Sequence, residues 1–336
     1  MRIGIDLGGT KTEIVALDDK GHRQFQQRIP TPRQSYSSIV NSIVQLIHLA
    51  EGELQQQCSL GLCIPGTIDR RRQVVKNANT TVMNGQPLAK DLGEALQRPV
   101  RIANDANCLA LSEAVDGAAA GAMIVFGVIV GTGCGGGLVV NGQVIEGANG
   151  LTGEWGHNRL NDLCADEQTG HTCYCGKTGC VETWISGTAL ARHYHEAALK
   201  RGGLEGKIHS EVSAGENVSD HDKRLSAEQI VALAQQGDAL AERQMALLEH
   251  RMARALAQII NIVDPHVIVL GGGLSNIDRL TAMCPPCGRS GYFQSMPSTP
   301  GSLERSMAMP VVCAVRRGCG PNIDLMYAKL FPITAV

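Results

Sequence analysis

Three apolar runs in this chain each end in a cluster of glycines: RIGIDLGGTK at residues 2–11, AMIVFGVIVGTGCGGG at 122–137 and HVIVLGGGLSN at 266–276. A short apolar run closed by glycine reads as a buried strand ending in a tight turn. In the first two, an apolar run resumes after the glycines (KTEIVALD and LVVNGQVIEG), so each reads as strand, turn, strand. The same unit near the start and in the middle predicts two related α/β units, residues 1–120 and 121–280, with a cleft between them. Helical spacing of apolar residues predicts helices in SIVNSIVQLIHLAEGEL and in SAEQIVALAQQGDALAERQMALLEHRMARALAQIINIVDP, the latter broken near Gly237. CSLGLCIPG reads as a buried strand ending in a Pro-Gly turn, and VRIANDANCLALSEAV as strand, turn, helix.

Glycine lets backbone N–H groups approach a phosphate without a Cβ in the way, and threonine adds a hydroxyl. Gly8, Gly9, Thr10 and Lys11 form one candidate cradle, with Asp6 beside it to hold the Mg²⁺ of a nucleotide. Thr132, Gly133, Gly135 and Gly136 form a second, and Gly271 and Gly272 belong to a third glycine loop. There is no GxxxxGK[ST], so this is not a P-loop chain. Gly131–Gly136 matches GxGxxG loosely, but a strand follows where a dinucleotide fold needs a helix.

The stretch Leu151–Gly187 concentrates another chemistry. Cys173, Cys175 and Cys180 supply three thiolates within eight residues, and Gly176 and Gly179 permit the tight loop between them. With His157 upstream the set becomes Cys₃His, a closed tetrahedral zinc site of structural type. Cys164 and His171 fall outside the spacing and read as incidental. Disulfides are disfavoured. The opening MRIGIDLGGT is no signal segment and no long apolar run follows, so the expected compartment is the cytoplasm, where the twelve cysteines stay reduced. The formal net charge of -2 offers no basic field for nucleic acid or an anionic membrane, and points to a small or neutral partner.

Asp105, in IANDANC, stands after a strand and before a helix. Two readings stand side by side: a helix N-cap, or a base that accepts a hydroxyl proton in phosphoryl transfer.

DLGGTK, NDANC, VIVGTGCGGG, GEWGH and CYCGKTGCVE occur here in one order. Together they resemble the ROK family of bacterial sugar kinases and sugar-responsive repressors, over residues 1 to about 280. The resemblance implies a two-lobe actin/hexokinase-like (ribonuclease H-like) ATPase fold with a small zinc-binding loop at 157–182. It implies ATP and Mg²⁺ between the glycine loops, Asp105 as the general base, and a hexose held by Asn104, Glu154, His157 and Glu182, with Asn79 on the sugar side. VKNANTTVMNGQPL, SEAVDGAAAGA and GEWGHN are most similar to the fructokinase (manno/fructokinase) branch, which implies transfer to the 6-hydroxyl of fructose or mannose. N-acetylglucosamine and glucose kinases are the neighbouring alternatives. A homodimer is common among such relatives. The repressor alternative carries an N-terminal helix-turn-helix, whereas here the first strand begins at Arg2. A sugar-binding regulator without catalysis is the other alternative.

Residues 281–336 change character, with no helix or strand period. The family resemblance leads one to expect a segment like HGDxSGVRGAAW near the end. Read one base earlier, codons for Met307 to Gly320 can encode His-Gly-Asp-Ala-Ser-Gly-Val-Arg-Gly-Ala-Ala-Trp-Leu-Trp. The expectation is an out-of-frame tail from about residue 281, in which Cys284-Pro-Pro-Cys287 is an accident.

Overall fold

The computed structural model describes residues 1–78, 80–161, 163, 164, 167, 170–201 and 225–282, together with the strand Val312–Val315. Asn79, most of the tail and the Cys284–Cys287 pair lie outside the described residues.

The chain opens with the expected hairpin, β1 (Arg2–Leu7) and β2 (Lys11–Leu17), extended by β3 (Arg23–Pro30). Helix α1 (Tyr36–Leu54) leads to β4 (Ser59–Ile64), which runs parallel to β1. A small hairpin, β5 (Thr67–Asp69) and β6 (Val74–Lys76), and helix α2 (Leu88–Leu96) precede β7 (Val100–Asn104), parallel to β4. The sheet order is β3-β2-β1-β4-β7. Helix α3 (Asp105–Val115) follows β7 without a break.

The second unit repeats the plan. A hairpin of β8 (Ile124–Val130) and β9 (Cys134–Val140) is extended by β10 (Gln143–Val144). Helices α4 (Glu182–Ile185), α5 (Gly187–Arg201), α6 (Ala227–Gln235) and α7 (Ala239–Val263) come before β11 (Val267–Gly271), and α8 (Asp278–Ala282) and β12 (Val312–Val315) after it. The order β10-β9-β8-β11-β12 matches the first sheet strand for strand, with β11 parallel to β8 and β12 parallel to β11.

Local chemistry accounts for the elements. Ser35 and Ser38 form a capping box at the start of α1, which buries Ile39, Ile43, Leu46, Ile47 and Ala50 along one face. The break between α6 and α7 falls at Gly237, and Asp238 caps α7 by accepting from the Ala241 N–H at 2.7 Å. β2 is buried at every position after Lys11, as befits a strand covered on both faces.

Helix α3 holds the two units together. Cys108 packs with Val15, Leu17 and Cys63 of the first sheet. Ala110, Leu111 and Ala114 pack with Val125, Val139, Val267 and Val269 of the second. The approach to the second sheet is backbone-close. A Cβ on Gly137 would lie 2.5 Å from the Ala106 carbonyl oxygen, and one on Gly127 would lie 2.8 Å from the Ala110 Cβ. The expected boundary near residue 120 therefore cuts behind a helix that already belongs to both units.

One expectation is corrected. The tail was read as having no strand, yet Val312–Val315 pairs in register with Val267–Leu270. Four residues alongside the open edge of a parallel strand suffice for pairing, without any longer period.

Candidate active site

Strand β7 delivers Asn104 and Asp105 to the junction of the units. The cap of α3 is Asn104, not Asp105. The Asn104 Oδ1 accepts from the Ala106 N–H at 3.0 Å and the Asn107 N–H at 3.2 Å, while its Nδ2 donates to the Gly66 carbonyl at 2.9 Å. Asp105, relieved of the capping role, accepts at Oδ1 from the Ala106 N–H at 2.8 Å. Burial is the main reason its carboxyl is pushed up to about 7; the negative charges of Asp6 and Glu154 add to this, and the helix N–H groups work against it. A carboxyl that titrates near neutrality can take and release a proton at working pH. Asp6, at the end of β1, accepts from the Cys63 thiol at 3.3 Å.

Beside this junction runs a cavity lined from both units: Thr67, Arg70 and Asn104 on one side, Glu146, Thr152 and Glu154 on the other. Arg70 and Glu146 form an ion pair across it. Asn107 also lines it, and its Oδ1 is buried with no hydrogen-bond partner. A buried acceptor left unpaired is costly, and a hydroxyl donor in the cavity would satisfy it. Sequence reasoning passed over Asn107. The available signal was its position three residues after the cap, on the same side of α3 as Asn104.

The glycine turns meet at a second cavity, lined by Gly9, Thr10, Arg33, Thr80, Thr81 and Thr132. Gly8 closes the first turn by donating to the Lys11 carbonyl at 3.0 Å, and Lys11 is exposed at its edge. Arg33, also not singled out from the sequence, donates from Nε to the Gly9 carbonyl at 2.8 Å. The second turn is Gly131–Gly133, closed by the Gly131 N–H on the Gly133 carbonyl at 3.0 Å. Gly135 and Gly136 lie beyond it, inside β9, opposite Ile129 and Val128. A Cβ on Gly136 would stand 2.7 Å from the Trp155 ring, so this glycine makes room for packing. Gly271 makes room for Leu109 of α3, and Gly272, at φ +83°, lies against the Val130 carbonyl in a backbone region that favours glycine.

The expected metal ligands converge. One donor atom from each of His157, Cys173, Cys175 and Cys180 lies within 4.8 Å of all the others. The Cys173 Sγ is 3.5 Å from His157 Nδ1, and the Cys175 and Cys180 sulfurs are 3.6 Å apart. On its other nitrogen, His157 Nε2 faces the Tyr174 hydroxyl at 3.0 Å and a Glu154 oxygen at 3.8 Å. The set fits a tetrahedral thiolate-rich site, with Nδ1 turned inward and Nε2 oriented by neighbours. Cys164 is exposed and outside the cluster, whereas His171 belongs to a second group with His193 and Glu196. Among the described residues no helix is long and apolar enough to cross a membrane.

The ROK family model matches residues 2–299. An N-acetyl-D-glucosamine kinase of Pasteurella multocida is 35% identical over 324 residues, covering 95% of both chains. A namesake from Salmonella paratyphi B is 36% identical over 288 residues, covering 84% of this chain and 86% of its own. Among solved structures, a ROK family glucokinase from Streptomyces griseus, in complex with glucose and AMPPNP, aligns with a TM-score of 0.69 at 25% identity, covering 97% of this chain and 96% of that one. The ROK hexokinase from Thermus thermophilus aligns with a TM-score of 0.67 at 27% identity, over 97% and 95%.

Proposed function

The chain belongs to the ROK family, and from that premise we propose that it is an ATP-dependent hexose kinase whose acceptor is N-acetyl-D-glucosamine. The observation that carries the reading is Asp105, a carboxyl raised to about 7 where the two units join. In this role it accepts the proton of the attacking sugar hydroxyl, whose oxygen then displaces ADP from the γ-phosphate. Gly8, Gly9, Thr10 and Lys11, with Thr132 and Gly133 across the cavity and Arg33 at its rim, hold the phosphates. Asp6 is placed to orient the Mg²⁺ that accompanies ATP.

Asn104, Asn107, Glu154, His157 and Glu182 bind the acceptor. The carboxylates and the Asn107 amide oxygen suit adjacent hydroxyls because each accepts more than one hydrogen bond, and Asn104, whose oxygen is already used, keeps one Nδ2–H to donate. Asn79 is proposed on the same side on sequence grounds alone. Zinc fits His157, Cys173, Cys175 and Cys180; held there it would fix the loop and keep Glu154 and Glu182 in place.

Fructose is the second reading, favoured by VKNANTTVMNGQPL, SEAVDGAAAGA and GEWGHN. The preference moves to N-acetyl-D-glucosamine because both curated relatives described above carry that name. The deciding experiment is MgATP consumption by the purified chain with N-acetylglucosamine, fructose, mannose and glucose in turn. Turnover with N-acetylglucosamine above the others supports the proposal. Turnover with fructose alone returns the assignment to the fructokinase branch, and soluble protein that binds sugar without consuming ATP removes catalysis.

A further inference from the structure

Outside the Cys₃His cluster, three side chains converge with nothing in the proposed reaction to explain them. His171 sits on the zinc loop, and His193 and Glu196 lie one turn apart on α5. His171 Nε2 is 3.6 Å from Glu196 Oε2, and His193 Nδ1 is 3.9 Å from the same oxygen. All three donor atoms lie within 4.8 Å of one another.

The rings are held, not loosely placed. His193 is 8% exposed and stacks on Trp184, with ring centroids 5.2 Å apart and planes 7° from parallel. Its Nε2–H donates to the Thr183 carbonyl at 3.2 Å, which leaves Nδ1 as the lone-pair nitrogen facing Glu196. That backbone bond on the far nitrogen is the usual way a ligating histidine is fixed in tautomer and orientation. The His171 ring meets His193 at a centroid distance of 4.9 Å, and its backbone is pinned where its carbonyl accepts from the Gly179 N–H at 2.9 Å. The nearby Arg251 shares the Glu167 carboxylate with Arg254, at 2.7 and 2.8 Å. Burial, with the Arg251 and Arg192 guanidiniums, pushes the His193 imidazole down to about 3, so it is a neutral ring over the working range.

We propose that His171, His193 and Glu196 form a second metal site, selective for zinc or a neighbouring first-row divalent cation, with water in the fourth position. Metal–nitrogen and metal–oxygen bonds of about 2.0–2.2 Å in a tetrahedron place donors about 3.3–3.6 Å apart. The two carboxylate contacts need to close by a few tenths of an ångström at most, and the two imidazole nitrogens, within 4.8 Å of each other, need the rings to draw together. Two imidazoles and one carboxylate suit zinc, cobalt or nickel rather than calcium or magnesium. Glu196 is 43% exposed, which gives the ion a path in and room for water. The ion would clamp the zinc loop to α5. The first residues of α5 hold the nucleotide turn: the Gly187 N–H donates to the Gly131 carbonyl at 2.7 Å and the Thr188 hydroxyl to the Thr132 carbonyl at 2.9 Å.

The test is zinc content of the full chain after equilibrium dialysis against buffered zinc, for wild type, Glu196→Gln and His171→Asn. Both substituted side chains are partly exposed, and circular dichroism checks that each variant folds. The expected result is about one zinc ion fewer per chain in each variant. Equal zinc content in all three overturns the proposal. Cobalt(II) supplies a second readout: the component lost in the variants should show visible bands without thiolate charge transfer. Loss of a thiolate band instead would mean that the variants had only disturbed the Cys₃His cluster, and would overturn it too.

Discussion

The Glu182 carboxylate accepts a hydrogen bond from the backbone N–H of Cys134 at 2.9 Å. Glu182 opens α4, two residues after the last cysteine of the Cys₃His cluster, and Cys134 opens β9, next to the Gly131–Gly133 turn. A Cβ on Gly133 would lie 2.7 Å from the same oxygen, so the turn closes over the carboxylate. A group proposed for the sugar side is thus also a strut of the turn proposed for the phosphates.

Glu182→Gln should therefore weaken both substrates. Burial pushes the Glu182 carboxyl up, while the bond from Cys134 draws it back. Removing the charge weakens a hydrogen bond worth about 1.5–3 kcal/mol. Steady-state kinetics should show KM rising for MgATP and for the sugar together; a change confined to the sugar would deny the link.

Asp105→Asn should lower kcat on the order of 10²–10⁴-fold while sugar binding persists. In the parent chain the base is competent when ionised, so kcat should rise with pH through about 7. A flat profile between pH 6 and 8, with chemistry rate-limiting, would contradict the assignment.

The same substitution should stabilise the protein at high pH. The folded-state value of Asp105 is raised above the ordinary 3.8 to about 7. Its stability contribution is therefore fully present below the unfolded value and is lost as pH rises through about 7, because the folded state must then bury a charge. Asn carries no such charge. The melting temperature of Asp105→Asn should exceed that of the parent at pH 8, and the two should converge as pH falls toward 4.

Gly137→Ala should cost about 1–3 kcal/mol, since its methyl meets the Ala106 carbonyl at 2.5 Å. Gly52→Ala, in the exposed part of α1 with nothing within 4 Å, should instead gain roughly 0.5–1 kcal/mol. Urea unfolding of both variants checks the contrast; equal effects would mean that the α3 contact has slack.

The tail makes a prediction about the gene. Resequencing should find a base gained or lost near codon 281, and the restored chain should melt at a higher temperature than the present one. An unbroken frame through Met307–Gly320 would end that reading.

Legibility in the sequence followed the range of the interaction. The two hairpins were readable because an apolar run, a glycine turn and a second run are neighbours in the chain. The Cys₃His set was readable because its three thiols stand within eight residues. β3 went unread because, in RQFQQRIP, only Phe25 is buried. Gly135 and Gly136 read in the sequence as part of a phosphate cradle; in the fold both lie inside β9, and Gly136 makes room for the Trp155 ring. His171 was set aside because its partners, His193 and Glu196, lie on a helix that the zinc loop meets only in the folded chain. The approach of His171 to α5 is a contact between distant segments, which local pattern does not encode.

Helix α3 has sheets on two sides, and the residues from Cys108 to Ala114 are all buried. Such a helix has almost no surface on which sequence can drift unnoticed. Enlarging Ala110 demands a compensating change at Gly127, which has nothing smaller to become, and the Ala106 backbone carbonyl leaves Gly137 no room for a side chain. Change in this part of the chain would have to arrive in coordinated sets, with Ala110 and Gly127 altering together.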